Sequence, residues 1–165
     1  MQQLLITDIT NQLQAIHHGK IWATAANFEK KLGEISDEEA FVRPLPDLHS
    51  VAEIISHLIA WRRDTIVKIR TGQGSLTMEA EENWLPNDTL REKGWPALKA
   101  EYFNSLSELI ALLQDRQDNF LEETYYDADF KGNYPFSFVI HGMLHHDLYH
   151  LGQLGIVIKL LKGKR

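Results

Sequence analysis

The chain has 165 residues, a formal net charge of -6, 44% hydrophobic and 24% charged residues, the usage of one ordinary globular domain over residues 1–165. An acidic chain without a basic tract is a poor partner for nucleic acid. The absence of cysteine excludes disulfides, thiolate metal ligands and a cysteine nucleophile, so any metal must be held by nitrogen and oxygen.

In chain order, the first helical pattern covers Gln2 to His17, with Leu4, Leu5, Ile9, Leu13 and Ile16 as its inner stripe. Gly19 interrupts it, and Ile21 to Leu32 is expected to complete the first long element. Ser36-Asp37-Glu38-Glu39 is a capping-box pattern for a short helical turn. Pro44 and Pro46 mark a loop. Ser50-Val51-Ala52-Glu53 is a second capping box, opening a helix that runs to about Arg70 and stops at Thr71-Gly72-Gln73-Gly74. Ser75 to Gly94 reads as a long crossover with one turn of helix. Trp95-Pro96 opens a third long helix, predicted to end near Asp118. Asn119 to Tyr134 is a connector in which Asp127 to Asn133 suits a hairpin. The last helix follows Pro135 and ends near Lys162, and Lys159, Lys162, Lys164 and Arg165 complement its negative end. Four long amphipathic helices and few strand signals predict an all-α four-helix bundle. No apolar run approaches the roughly 20 residues of a membrane span, and Met1 to Asp8 has no signal-peptide pattern, so a soluble cytoplasmic protein is expected.

The last helix carries the main chemical signal. His146 and His150 are spaced i, i+4, which puts two imidazoles on one face, about 6 Å apart along the axis. With about 100° per residue and His141 at zero, Val139, Met143, Leu154, Val157, Ile158 and Leu161 fall within roughly 160–260°. His146 and His150 fall at that apolar edge, while His141 and His145 fall on the opposite side. One helix thereby offers a divalent metal two ligands, and His57, in the Ser50 helix, is placed to be brought across as a third. Core histidines satisfied by hydrogen bonds are the competing reading. Asp147 also lands on the apolar face, where an unpaired carboxylate is costly, so it needs a metal-bound imidazole, an arginine or a tyrosine hydroxyl as partner. Glu53, one turn before His57, is a candidate to orient that imidazole or act as a base. His17, His18 and His49 sit at helix ends or in loops and receive no role. Trp22, Trp61, Trp84 and Trp95 read as core or pocket wall.

The strings His49-Ser50-Val51-Ala52-Glu53-Ile54-Ile55-Ser56-His57-Leu58-Ile59-Ala60-Trp61 and His146-Asp147-Leu148-Tyr149-His150-Leu151-Gly152-Gln153-Leu154 resemble the DinB-like, YfiT-type superfamily. So do Gly19-Lys20-Ile21-Trp22, Leu32, Ser36 and Arg43-Pro44. The resemblance implies an up-down-down-up four-helix bundle, often a homodimer. It implies a divalent metal, zinc or nickel foremost, held by His57, His146 and His150. The chain departs from the pattern at Leu151, where relatives often carry a basic residue. The resemblance further implies a metal-dependent S-transferase that uses a low-molecular-weight thiol such as bacillithiol or mycothiol, with Glu53 or Asp147 as orienting group or base. A metal-dependent hydrolase and a non-catalytic, stress-associated metal-binding protein are the alternatives.

Overall fold

The computed structural model describes residues 3–22 and 26–163. The expected helical positions Gln2 and 23–25, and the cations Lys164 and Arg165, lie outside the described residues. Four long helices form the bundle: α1 (Leu4–His17), α3 (Val51–Thr71), α5 (Trp95–Gln114) and α6 (Phe136–Lys162), with short α2 (Phe28–Gly33) and α4 (Asn87–Lys93) between them. Ion pairs give the course. Arg63 meets Glu101 and, seven residues on along both helices, Arg70 meets Glu108, each at 2.7 Å, so α3 and α5 run parallel. His57 faces His150 while Arg62 faces Asp147, so α3 and α6 run antiparallel. No described helix is long and apolar enough to cross a membrane.

Local chemistry explains the boundaries. The Ser50 hydroxyl accepts from the Glu53 amide, and the Glu53 carboxylate accepts from the Ser50 amide, so the α3 capping box is complete. Gly72 ends α3 in the left-handed conformation (φ 78°) that a side chain disfavours. Ser36 and Glu39 cap each other reciprocally around the Glu39–Phe41 turn. The continuous helix expected over Ile21 to Leu32 is absent where the chain is described. Asn27 is extended, caps α2 by accepting from the Lys30 amide, and donates to the Gly19 carbonyl. The side chain that stops the helix also ties the two segments together. Helix α5 ends at Gln114, four residues short of expectation. Asp118 instead caps α1 from a distance, accepting from the Ile6 amide at 3.1 Å, a carboxylate at a positive helix end. The crossover holds more order than one turn: a 3₁₀ turn at Glu81–Trp84 and then α4. The connector after α5 does contain a hairpin, β1 (Thr124–Asp127) with β2 (Gly132–Pro135).

The bundle centre is polar at one point, where all four long helices meet. The Arg62 guanidinium, fully buried, donates through Nη2 to Asp147 Oδ1 (3.1 Å) and His17 Nε2 (3.0 Å), and through Nη1 to the Tyr102 carbonyl (3.1 Å). His17 Nδ1 donates to the Leu13 carbonyl, which fixes its tautomer and leaves Nε2 as the acceptor for Arg62. Burial, and then Arg62, hold His17 well below its ordinary range. The folded state therefore binds fewer protons than the unfolded state below about pH 6.5, and stability falls as pH drops through that point. Replacing His17 with Gln, which keeps an acceptor but does not titrate, should flatten the slope of melting temperature between pH 7.5 and pH 5. An unchanged slope would remove His17 as a cause.

A second buried ionic group lies further along α3. Lys68 contacts Asp64 Oδ2 (2.7 Å) and Asp127 Oδ2 (2.8 Å), and the Ser75 and Leu76 amides donate to Asp64. The segment after α3 runs beside β1, with Tyr126 N–H donating to the Gly72 carbonyl and Gly74 N–H to the Tyr126 carbonyl. Gly74 passes directly over the ion pair, and a Cβ there would stand 2.7 Å from Asp64 Oδ2 and overlap the Lys68 side chain. Both side chains are buried and tethered. Gly74→Ala should cost about 1–3 kcal/mol in a denaturant melt.

Candidate metal centre

His57 is delivered by the second turn of α3, and His146 and His150 by one face of α6. Their Nε2 atoms converge: His146 Nε2 lies 2.9 Å from His57 Nε2 and 3.0 Å from His150 Nε2. Among the described residues this is the group of three whose ligand atoms, all within 4.8 Å of one another, suit a metal ion.

Outer contacts decide the tautomers. His57 Nδ1 donates to the Asn83 carbonyl at 3.0 Å, and His150 Nδ1 donates to Gln153 Oε1 at 2.7 Å. A carbonyl only accepts, so both protons sit on Nδ1 and both Nε2 lone pairs point inward. His146 has one ring proton to offer and cannot satisfy both neighbours with good geometry. Its own Nδ1 is buried without a partner. Such a donor set is short of positive charge, and a cation at the shared point would complete it. Burial, and then the neighbouring imidazoles, push His146 down to about 3; burial and His57 push His150 down to about 4. Burial also lowers His57. Burial thus favours the neutral form of all three rings, the form that metal ligation requires.

The His57 ring is held on its face as well as its edge. Trp84 stacks on it with centroids 3.9 Å apart and planes 7° apart, and His49 stacks on the far side of Trp84 at 3.8 Å and 5°. Asn83 Oδ1 accepts from Trp61 Nε1, so the crossover turn is tied to α3 at His57 and again one turn later. The triad opens into a cavity of about 1000 Å³, walled by Trp61, Trp84, Phe138, Met143 and Tyr149.

A profile of the DinB superfamily matches residues 21–154. The chain belongs to the DinB superfamily. No protein of curated function matches it. Its fold is similar to that of a DinB-like protein, YjoA, from Bacillus subtilis (TM-score 0.65, 13% identity, covering 92% of this chain and 90% of that one). It is also similar to a mycothiol-dependent maleylpyruvate isomerase (0.65, 12%, covering 98% and 69%). A third similar fold is YfiT from Bacillus subtilis, described as a probable metal-dependent hydrolase with an unusual four-helix bundle topology (0.57, 12%, covering 93% and 87%).

In this DinB-superfamily chain the helical wheel separates the histidines as expected, with one refinement. His141 and His145 are exposed, yet they line the cavity, because the cavity opens toward that side of α6. Asp147 finds its partner in Arg62. The Glu53 carboxylate is buried and pairs with the Arg43 guanidinium at 2.9 Å; burial raises it, but Arg43 and the Ser50 amide outweigh this and hold it low. It is the Asn83 carbonyl that meets His57 Nδ1. His17 and His49, given no role from the sequence, are respectively a buried network member and the outer layer of the Trp84 stack. Trp61 and Trp84 wall the cavity and Trp95 is core, but Trp22 is fully exposed. Gln153 had a sequence signal, the i, i+3 spacing from His150. Trp84 reads from the sequence only as core or pocket wall and Asn83 carries no signal, because contacts across the crossover leave no periodic trace.

Proposed function

We propose that this protein is a metal-dependent enzyme of the low-molecular-weight-thiol S-transferase type, with zinc or nickel bound by His57, His146 and His150. The convergence of three neutral Nε2 atoms carries the reading. A divalent ion held by three imidazoles keeps open positions and lowers the pKa of a thiol or water bound there, supplying a nucleophile near neutral pH. Asn83 and Gln153 fix the tautomers of His57 and His150, and Trp84 fixes the His57 ring plane. Asp147, through Arg62, acts as a positioning residue that sets the rotation of α6 and hence the aim of His146. Glu53 is a positioning residue for the start of α3. The apolar walls exclude water and leave room for a thiol and an electrophile side by side.

The thiol assignment draws support from two facts. The chain has no cysteine to compete for the metal or the electrophile. Its fold is shared with a thiol-dependent isomerase, so the scaffold accommodates that chemistry. The similarity to a probable hydrolase favours one second reading, attack by water in place of thiol. The proposal includes a cytoplasmic location, where small thiols are kept reduced, and a homodimer. Metal-loaded protein should accelerate loss of a chloro-dinitrobenzene or bimane electrophile only when bacillithiol, mycothiol or glutathione is added. Thiol-independent loss would replace this reading with hydrolysis, and no loss in either case would leave a metal-binding protein without turnover.

A further inference from the structure

The floor of the cavity has a gap at its middle. Gly142 lies in the interior of α6, where glycine weakens a helix relative to alanine. Packing does not require it, since a Cβ there would meet nothing within 4 Å outside its own stretch of helix backbone. The space left open belongs to the cavity, which Gly142 lines. Phe138, Gly142 and His146 follow at i, i+4 and i+8, one row along the helix. Gly142 therefore stands midway on a path of about 12 Å from Phe138 to the triad.

The far end of that path is aromatic. Phe138, from the first turn of α6, and Phe130, from the hairpin turn, line the cavity, yet they are 45% and 58% exposed. Their rings meet edge to face with centroids 5.5 Å apart, and Tyr134 stacks on Phe138 at 4.8 Å. Lys131, next to Phe130, takes φ 54°, a left-handed conformation that a side chain disfavours, so the turn that presents Phe130 carries a conformational cost. No cation is free along the way. Among the described residues Lys68 is the one lysine or arginine that lines the cavity; it is buried and paired with both Asp64 and Asp127. A carboxylate or phosphate lying along this path would lose water and gain no ion pair. Val139, Met143 and the two exposed rings offer apolar contact instead.

We propose that the cavity takes an arylalkyl ligand, with an uncharged apolar arm about 12 Å long lying over Gly142 and an aromatic ring against Phe130 and Phe138. The polar head of the ligand points to the triad. Gly142 is the residue that decides how long an arm is admitted. That the head is the reacting group rests on the proposed metal site; the arm stands on the walls alone.

Two experiments test this. The first needs neither metal nor thiol. Phenylalkanols of two to eight carbons are titrated into the protein as purified and followed by the Met143 methyl resonance. Affinity should rise about three- to fourfold per added methylene until the ring reaches Phe138, near six carbons, and then level off. An ethylene-glycol arm of equal length, or a ring ending in a carboxylate, should bind about tenfold more weakly or worse. Gly142→Leu, which fills the path, should bring the six-carbon alcohol down to the affinity of the two-carbon one. Gly142→Ala should weaken it by a smaller factor while raising the melting temperature, because alanine favours the helix and meets no wall. The alanine variant decides the matter if leucine unsettles the fold. Affinity independent of length, equal binding of the glycol arm, or undiminished binding of the six-carbon alcohol in the folded Gly142 variants overturns the proposal.

The second experiment places the head. Phenylalkanethiols of the same lengths are added to cobalt-substituted protein and read by thiolate–cobalt absorption. The same rise with length and the same loss in Gly142→Leu should appear. If the alcohols follow the expected pattern and no thiol absorbs, the arm stands and the thiol reading falls. If the thiols absorb without dependence on length, the metal site stands and the arm falls.

Discussion

Protein purified without an affinity tag or added metal should contain about one divalent ion per chain, and His146→Ala should contain none. His146 is the central ring of the group, with its Nε2 2.9 Å from one partner and 3.0 Å from the other. Removing it leaves His57 and His150 aimed at an opening with two ligands, too few for a structural or a catalytic site. His150→Ala and His57→Ala should lose the ion as well. His141→Ala and His145→Ala are the internal controls. They share the same i, i+4 spacing and the same cavity, but their rings are exposed and stand outside the convergent group. Elemental analysis with equilibrium dialysis decides the matter. Full metal content in the triple alanine variant of the triad would end the assignment, and loss confined to the two controls would mean that the α6 surface carries the ion.

Removing one side of the Arg62–Asp147 pair should be the most damaging single change in the bundle. Arg62 is 0% and Asp147 1% exposed, so either partner alone would be a buried uncompensated charge. Asp147→Ala or Arg62→Met should each cost about 3–5 kcal/mol, a drop in melting temperature of roughly 10 °C for a chain of this size. Pairing Arg62→Met with Asp147→Leu should recover much of that loss, because an apolar pair of similar volume removes the desolvation penalty along with the attraction. The two single losses should therefore be strongly non-additive. If the double variant is as unstable as the sum of the singles, His17, Tyr102 and Ser105 hold the network together more than the ion pair does.

The sequence made the frame legible because the frame is periodic. Apolar stripes marked α1, α3, α5 and α6, although Leu4 and Leu5, expected on the inner stripe of α1, are exposed and Ile6 is buried in their stead; two Ser-x-x-Glu boxes marked helical starts that the hydrogen bonds reproduce. The wheel singled out His146 and His150, and the cost of burying Asp147 demanded a partner such as Arg62. What stayed hidden depends on contacts between residues far apart in the chain. Asp118 caps α1 across 112 residues, Asn83 holds His57 across 26 and Arg62 reaches Asp147 across 85. The Glu53 carboxylate shows the limit from the other side. Its spacing from His57 is right for a contact along the helix, but Arg43 and the Ser50 cap claim both of its oxygens.

The parallel course of α3 and α5 has an architectural consequence. Two neighbouring helices pointing the same way cannot be joined by a tight turn; the strand between them has to travel back the length of the bundle. Here that return path runs past the open side of α3, and Asn83, Trp84 and Met78 stand on it; the hairpin joining α5 to α6 closes the other end with Tyr125 and Asp129. The connectors thus close two sides of a chamber whose remaining walls, like its three imidazoles, belong to α3 and α6. Insertions, deletions and drift in the connectors would resculpt what the chamber admits and leave the scaffold and its three imidazoles in place. A lineage built this way can change its clientele without relearning how to fold.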